Sequence, residues 1–334
     1  MLKSKRVLIV RPDRIGDTVL STPIPRAVKE ENPDNFVAVL VRKYTEAVFE
    51  NNPFVDEIIN LDEEPSFIKT VKKLRKYNFT HSFSLLPTEK INYLLFFAGI
   101  KFRFGVGHKL YQFITNTKSV YRRKYIPLRS EADYCFDMAR KIGINKQNLK
   151  TEIFLSEEEK KSVTEFKKEL NPSNKILIGL QLSSGNSAPN WNPSEYIELY
   201  KLLKNSEKFE VVITGKDKFR ETEDLTELKQ PGINLSLRES FTYYAALDYL
   251  ISASTGPMHI SAALDVKTIS LFCPLTACAP ELWGPVGNEA FFILPEENYC
   301  QTKCPGDPKK CNYSGSKKVN AQEVFNEINK IVEK

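Results

Sequence analysis

Two short segments combine polar residues with glycine where a predicted strand gives way to a helix. The first, residues 11–18, carries two arginines, two aspartates and Gly16, which permits a tight turn. Asp17 is a candidate general base, because a carboxylate at a helix N-terminus stays ionised near neutral pH. Asp17 is equally well placed to cap that helix, a common structural role for aspartate. The residues by themselves leave both interpretations open.

The second segment follows another predicted strand and consists of Ser254, Thr255, Gly256, Pro257, Met258 and His259. Backbone N–H groups at the start of a helix bind anions, so this segment predicts a diphosphate site with Thr255 and His259 as further donors. An ordinary capped helix with a buried histidine is the alternative. A third loop, with Ser183, Ser184 and Gly185, also follows a strand and suits close contact with phosphate oxygens.

Positive charge is concentrated in one part of the chain, whose net charge is +6. Residues 90–129 contain nine Lys or Arg and no Asp or Glu, and aromatic residues lie among them. A basic, aromatic stretch of this kind can bind nucleic acid, an anionic membrane or a phosphorylated ligand. A solvated surface that is merely basic is the alternative.

Cysteines and histidines give weaker signals. Cys300, Cys304 and Cys311 form a structural metal site only if a fourth ligand joins them, and plain thiols are the alternative. With three histidines in the chain, a His-based metal site or a Ser-His-Asp triad has little support. The sequence also contains no Walker A loop, no Asp-x-Asp triplet, no dinucleotide-binding fingerprint and no nucleic-acid motif. We therefore expect no cofactor, no catalytic metal and no nucleic-acid partner.

Hydropathy predicts a cytoplasmic protein. The apolar run at residues 7–10 is too short for a signal peptide, and the run at 93–100 is too short to span a bilayer.

The elements that must position these segments alternate between strand and helix, which is typical of a parallel sheet with crossover helices. Apolar runs predict strands at residues 5–10, 36–41, 55–61, 79–85, 175–182, 209–215, 249–253 and 267–272. Helical patterns cover residues 18–31, 156–170, 193–205, 220–229, 256–264 and 320–332. A turn cluster at 171–174 is the best candidate for a linker. The fold class is α/β, with two Rossmann-like, doubly wound domains that face a central cleft.

The candidate segments also carry a family resemblance. Residues 7–23 and 254–264, together with 271–274, resemble signatures of glycosyltransferase family 9, the heptosyltransferases of lipopolysaccharide synthesis. The likeness extends over most of the chain. It implies a GT-B fold and an inverting transfer without a catalytic metal, often from ADP-heptose. It also implies that Asp17, rather than Asp13, is the base.

The resemblance further implies three parts: residues 1–170 for the acceptor, 171–318 for the nucleotide sugar, and a helix at 319–334 that packs back toward the first domain. The donor residues are then Ser183, Ser184, Gly185, Lys216, Thr255, Gly256, Pro257, Met258 and His259. The acceptor, a phosphorylated glycolipid, is expected to meet Arg11, Asp13, Arg14, Gly16, Arg103, Lys109, Arg122 and Arg123. Peripheral contact with the cytoplasmic face of the inner membrane follows from such an acceptor, with residues 93–104 at the lipid surface.

Two positions depart from the family pattern, and both are on the donor side. Asn190 precedes Trp191 where a basic residue is usual, and Ser254 precedes Thr255 where aspartate is usual. Lys216 or Lys218 is a candidate replacement for the missing charge. The departures keep other hypotheses open: another nucleotide sugar or acceptor, and an inactive scaffold in glycan assembly.

Overall fold

The structure is a computed structural model that describes residues 4–64, 66–122, 125–145, 148–185, 188–216 and 229–333. The chain divides into two compact units, Met1–Phe154 and Leu155–Lys334. Each unit is built around one sheet of parallel strands with helices as crossovers. The predicted α/β class with two Rossmann-like domains is confirmed.

The first unit has six parallel strands in the order β3-β2-β1-β4-β5-β6. Their bounds are β1 Arg6–Val10, β2 Phe36–Val41, β3 Glu57–Asn60, β4 His81–Ser84, β5 Phe102–Val106 and β6 Lys118–Val120. Its helices are α1 Ile15–Val19, α2 Pro23–Glu31, α3 Phe67–Lys76, α4 Glu89–Phe97, α5 Leu110–Ile114 and α6 Glu131–Arg140. β1 lies at the centre and is buried on both faces, which explains its unbroken Val-Leu-Ile-Val run.

The second unit has five parallel strands in the order β11-β10-β9-β7-β8. Helices and strands follow the chain as α7 Glu157–Leu170, β7 Ile176–Gln181, α8 Pro193–Lys204, β8 Phe209–Thr214, α9 Leu237–Ala245, β9 Tyr249–Ala253, α10 Gly256–Ala263, β10 Lys267–Leu271, α11 Pro280–Trp283, β11 Ala290–Ile293, α12 Tyr299–Thr302 and α13 Ala321–Val332. The helix predicted at 220–229 falls almost entirely outside the described residues.

Two sequence predictions about the first helix and the linker were wrong. The helix expected at 18–31 is two helices, α1 and α2, because Pro23 opens α2 and lacks the N–H that a continuous helix would need. The turn at 171–174 does not separate the units. α7 belongs to the second unit, where Glu159 pairs with Arg238 at 2.6 Å and Lys167 pairs with Asp248 at 2.5 Å. The boundary therefore lies at 154/155 rather than at 170/171.

The C-terminal helix completes the core of the second unit. Val324 and Ile328 of α13 are fully buried, and α13 packs on α8. The indole Nε1 of Trp191, just before α8, donates to the carbonyl of Val319 at 3.3 Å. Packing of this helix back toward the first domain stays a prediction.

Each sheet has one point where the chain changes direction across it. In the first sheet, β1 leads outward to β2 and β3, while β4 leads the opposite way to β5 and β6. In the second sheet, β7 leads to β8, and β9 leads the opposite way. Ligands of open α/β sheets bind outside the carboxyl ends of the strands at such points. The loops that follow β1, β7 and β9 are the three segments that the sequence singled out.

Candidate active site

Asp17 lies within α1 rather than at its cap. Arg14 is the N-cap residue, and its carbonyl accepts hydrogen bonds from the backbone N–H and the hydroxyl of Thr18. The Asp17 side chain is 19% exposed and turns toward Arg11, whose Nη2 donates to its Oδ1 at 2.5 Å. The capping interpretation of Asp17 is therefore wrong. Within the described part of the chain, Oδ2 of Asp17 has no protein partner and can accept a proton.

Arg11 is the buried centre of this site. It is 2% exposed, and its guanidinium also pairs with Asp13, at 3.0 Å from Nε to Oδ1. Its Nη1 donates to the carbonyl of Leu85, the residue after β4, at 3.3 Å. Arg11 thus joins the loop after β1 to the loop after β4, across the point where the first sheet changes direction. The arrangement fixes the orientation of the Asp17 carboxylate.

A second buried acid balances the charge of Arg11. Glu131, in the first turn of α6, is 2% exposed. Its Oε1 and Oε2 accept hydrogen bonds from Nη1 of Arg122 at 2.7 Å and 2.6 Å. One of its oxygens also lies 3.4 Å from Nη2 of Arg11. Ser130 caps α6 through its hydroxyl, which accepts from the N–H of Asp133 at 3.2 Å and so sets the position of Glu131. Arg11, Glu131 and the half-buried Arg122 form a continuous chain of charges next to Asp17.

Burial shifts the proton affinities in this cluster. It raises the pKa of Asp13 to about 6, although Arg11 opposes the shift. Burial acts to lower the pKa of Arg11, but the surrounding acidic groups outweigh it and hold the pKa above its usual value. Burial also raises the pKa of the Cys135 thiol to about 12, with Glu131 adding to the effect. Cys135 is therefore a neutral thiol packed against the arginines at neutral pH.

The other predicted acceptor residues are in different settings. Arg14 and Lys109 are exposed, and Gly16 is half-buried within α1. Arg103 is buried, and its guanidinium donates to the carbonyls of Ile100 and Thr115, so its charge supports the fold. We do not place Arg103 at an acceptor. Arg123 lies outside the described residues.

The second site is built around the start of α10. Thr255 is the N-cap of this helix, is 7% exposed, and makes no capping hydrogen bond with its side chain. Pro257 occupies the first turn, where its missing N–H is tolerated. Gly256 and Pro257 are half-buried, while Met258 and His259 are buried. The start of α10 therefore lies at the loop edge of the second sheet, and among the described residues the Thr255 hydroxyl does not cap it.

The loop after β7 lies beside it, because β7 and β9 are neighbours in the sheet. Ser183 bonds the N–H of Gly185 through its hydroxyl at 3.1 Å. The N–H of Ser184 donates to Oδ1 of Asn190 at 2.7 Å. Asn190, which stands where the family usually has a basic residue, thus holds this loop in shape. The sequence marked it as a departure but did not indicate this role.

Lys216 is exposed at the carboxyl end of β8, next to β7. Gly215 before it has φ +83°, and a Cβ there would lie 2.7 Å from the Gln181 amide, so only glycine fits without strain. Lys218 lies outside the described residues. Lys216 is thus on the same edge as the Thr255 and Ser184 loops.

The cysteines come together without forming a metal site. The thiols of Cys273 and Cys278 are hydrogen-bonded, and Cys273 also contacts Cys300. Across the described ranges, no group of three or more His, Cys, Asp or Glu side chains is arranged to hold a metal ion. The predicted site of Cys300, Cys304 and Cys311 is not formed.

Sequence reasoning missed Glu131 altogether. A signal was present, because Glu131 is the first acidic residue after the stretch 90–129, in which nine Lys or Arg residues have no acidic neighbour. An acid that follows such a run after a serine cap is a candidate partner for a buried arginine.

A family model and individual relatives relate this chain to the same family. The family model for glycosyltransferase family 9 (heptosyltransferase) matches residues 67–311. A Haemophilus influenzae protein provisionally named a glycosyltransferase is 27% identical over 85% of this chain and 87% of its own length. Lipopolysaccharide heptosyltransferase 2 of Escherichia coli is 22% identical over 98% of each chain.

Solved structures agree on the fold. A glycosyltransferase family 9 protein from Veillonella parvula superposes with a TM-score of 0.79 at 21% identity, over 99% of this chain and 97% of its own. Escherichia coli ADP-heptose lipopolysaccharide heptosyltransferase II gives 0.78 at 20% identity, over 98% of both chains. These likenesses confirm the predicted GT-B fold. Among the described helices, none combines the length and the apolar character that crossing a bilayer requires.

Proposed function

Because the chain belongs to glycosyltransferase family 9, the heptosyltransferase family, we propose that it transfers heptose or a related sugar from an ADP-sugar to a lipopolysaccharide core-type acceptor. One solved relative is an ADP-heptose transferase and another was solved with ADP, which supports this donor. The observation that carries the proposal is the Asp17 carboxylate, held by buried Arg11 with one oxygen available.

The reaction we propose is a single displacement with inversion. The acceptor hydroxyl attacks the anomeric carbon of the donor while the bond from that carbon to the diphosphate oxygen breaks. Oδ2 of Asp17 takes the hydroxyl proton, and the electron pair of the broken bond leaves with the nucleoside diphosphate. A diphosphate is already a good leaving group, so a second protein acid is not required.

The second unit supplies the groups that stabilise the leaving diphosphate. The N-terminus of α10 presents backbone N–H groups, and the Thr255 hydroxyl adds a donor. Ser183, Ser184 and Gly185 offer further contacts from the neighbouring loop, with Met258 and His259 packed behind them. Lys216 provides the positive charge that Asn190 does not.

The first unit binds the acceptor. Arg14 and Lys109 are exposed cations that suit its phosphate groups, and Arg122 lies in the chain of charges behind Asp17. Arg11, Asp13 and Gly16 shape the loop in which Asp17 acts. Since the acceptor is a glycolipid, we place the enzyme at the cytoplasmic face of the inner membrane, in peripheral contact with it.

Binding titrations test the proposal directly. The purified protein is titrated with ADP-heptose, ADP, UDP and GDP, and turnover is followed with a lipopolysaccharide core acceptor. We expect ADP-heptose to bind best and to be consumed only when acceptor is present. Preference for UDP or GDP would instead support a different donor. A folded protein that binds none of them would overturn the enzyme assignment and favour a scaffold.

A further inference from the structure

Helix α5 buries its polar side and exposes its apolar side. Its polar residue Gln112 is 2% exposed, and Thr115, just after its end, is fully buried. Leu110, Phe113 and Ile114 are 76%, 86% and 60% exposed. A surface helix of a water-soluble domain normally buries its apolar side and exposes its polar side. Two questions therefore arise: which contacts hold α5 in this orientation, and which partner covers its exposed apolar side.

A buried polar network causes this orientation. The Gln112 amide donates to the carbonyl of Val106 at 3.1 Å and accepts from the N–H of Lys109 at 2.8 Å. Asn92 of α4 donates to the Thr115 hydroxyl at 2.6 Å and accepts from the Thr117 hydroxyl at 2.9 Å. Rotating α5 to bury Phe113 would break these bonds and leave buried polar groups unpaired. The apolar face is consequently fixed outward.

Further aromatic residues extend the face. Phe96 of α4 is 41% exposed and lies under the Arg103 guanidinium, which also bonds the carbonyl of Thr115. Tyr121 is 59% exposed and packs on His108 with ring centroids 5.1 Å apart. We call the set Phe96, Leu110, Phe113, Ile114 and Tyr121 the α5 face. Exposed apolar residues grouped on and beside one short helix indicate an interaction site.

Exposed lysines and no acidic residues accompany the α5 face in the sequence. Lys101, Lys109 and Lys118 are exposed, and the sequence from 90 to 129 contains no Asp or Glu. An open cleft beside the helix is lined by His108, Lys109, Asn116 and Ser119. Two copies of this face would bring like charges together, which opposes self-association. A surface that is apolar within and negative at its edge is the complementary partner.

We propose that the α5 face docks on an anionic lipid bilayer, with Leu110, Phe113 and Ile114 entering the interface and the lysines meeting lipid headgroups. This deepens the proposed function and rests on it for purpose, since a glycolipid acceptor is embedded in such a surface. It also shifts the predicted membrane contact, because the most exposed apolar residues lie at 110–114 rather than at 93–104.

Vesicle sedimentation tests the proposal. The full chain is mixed with vesicles of phosphatidylcholine alone or with added phosphatidylglycerol, and the bound fraction is measured at two salt concentrations. We expect binding to the anionic vesicles, weakened by salt, and at least tenfold weaker binding for a Leu110→Ser, Phe113→Ser, Ile114→Ser variant. Ile68→Ser is the matched control, because Ile68 is a 65% exposed apolar residue on α3.

Each outcome decides something. Equal vesicle binding by the triple variant and the native chain would overturn the proposal, as would no vesicle binding by the native chain. A native dimer that the triple variant converts to monomer would overturn it in favour of a second copy. Turnover of a water-soluble, lipid-free acceptor should be unchanged in the triple variant. If the native chain binds vesicles but shows no turnover, the α5 face is a membrane-docking surface and the proposed function is wrong.

Discussion

The two candidate sites occupy equivalent positions in their sheets, but they are formed by different kinds of residue. The first, after β1, is a cluster of interlocked charged side chains in which Arg11 and Glu131 are almost completely buried. The second, after β7 and β9, uses small uncharged residues, a helix start and a single exposed lysine. Proton transfer needs one atom held in one orientation, whereas a diphosphate can be bound by backbone groups that any residue supplies.

Replacing Asp17, the proposed base, should impair the first site and leave the second site intact. We expect Asp17→Asn to reduce kcat by roughly 10²- to 10⁴-fold, the typical contribution of a positioned general base. Nucleotide binding should stay unchanged, because the groups that we propose for the donor are all in the second unit. Steady-state kinetics and a nucleotide titration measure the two effects separately.

Asp13→Asn is the matched control, because Asp13 pairs with the same arginine. Its loss of turnover should be much smaller than that of Asp17→Asn. If Asp13→Asn proves the more damaging change, Asp17 is not the base.

The buried charges also make the first site sensitive to pH. The pKa of Asp13 rises from 3.8 to about 6 on folding, so the folded state holds the proton more tightly. Its contribution to stability is present below about pH 3.8 and is lost as pH rises through about 6. Between pH 4 and 7 the native chain should therefore lose about 2 kcal/mol of unfolding free energy relative to Asp13→Asn.

Urea denaturation of both proteins at pH 4 and pH 7 measures this difference. A gap in unfolding free energy that does not change with pH would show that Asp13 keeps an ordinary affinity for its proton. The matching prediction for the second site is that Thr255→Val introduces no such pH dependence.

The smallest expected effect is at the donor site. Thr255→Val removes a hydroxyl that makes no capping bond, so the melting temperature should not change. A hydrogen bond to a charged group contributes about 1.5–3 kcal/mol, so ADP binding should weaken roughly ten- to hundred-fold. Calorimetric titration with ADP provides the measurement.

Thr164→Val, on an exposed position of α7, is the matched control. Unaltered ADP affinity in Thr255→Val would remove this hydroxyl from the donor site and leave binding there to the backbone alone.

The same contrast explains what the sequence could predict. Strands β2 and β9 were predicted to the residue, because short runs of mainly apolar residues buried on both faces are typical of the inner strands of a parallel sheet. The loops that we propose for the donor could be singled out because strand, glycine and helix start are adjacent in sequence. The charge cluster was predicted only in part, since Arg11 contacts Glu131, which lies 120 positions later in the sequence.

The sequence pattern of residues 90–129 also led to a partly wrong prediction of which side chains are exposed. The alternation of lysine, arginine and phenylalanine around β5 and β6 predicted one charged surface. The structure instead buries Arg103 and exposes Phe113, because carbonyl groups and Asn92 satisfy the buried polar atoms. Which side of a five-residue helix faces inward depends on such tertiary partners, and its own sequence does not contain that information.

The chain of Arg11, Glu131 and Arg122 has a consequence for how this enzyme can diverge. Loss of either arginine would leave the carboxylates of Glu131 and Asp17 with a single arginine between them, and loss of Glu131 would leave two cations close together. Substitutions at these three positions should therefore be strongly epistatic, tolerated as a set and rejected singly. Descendants of this sequence should keep or replace the trio together.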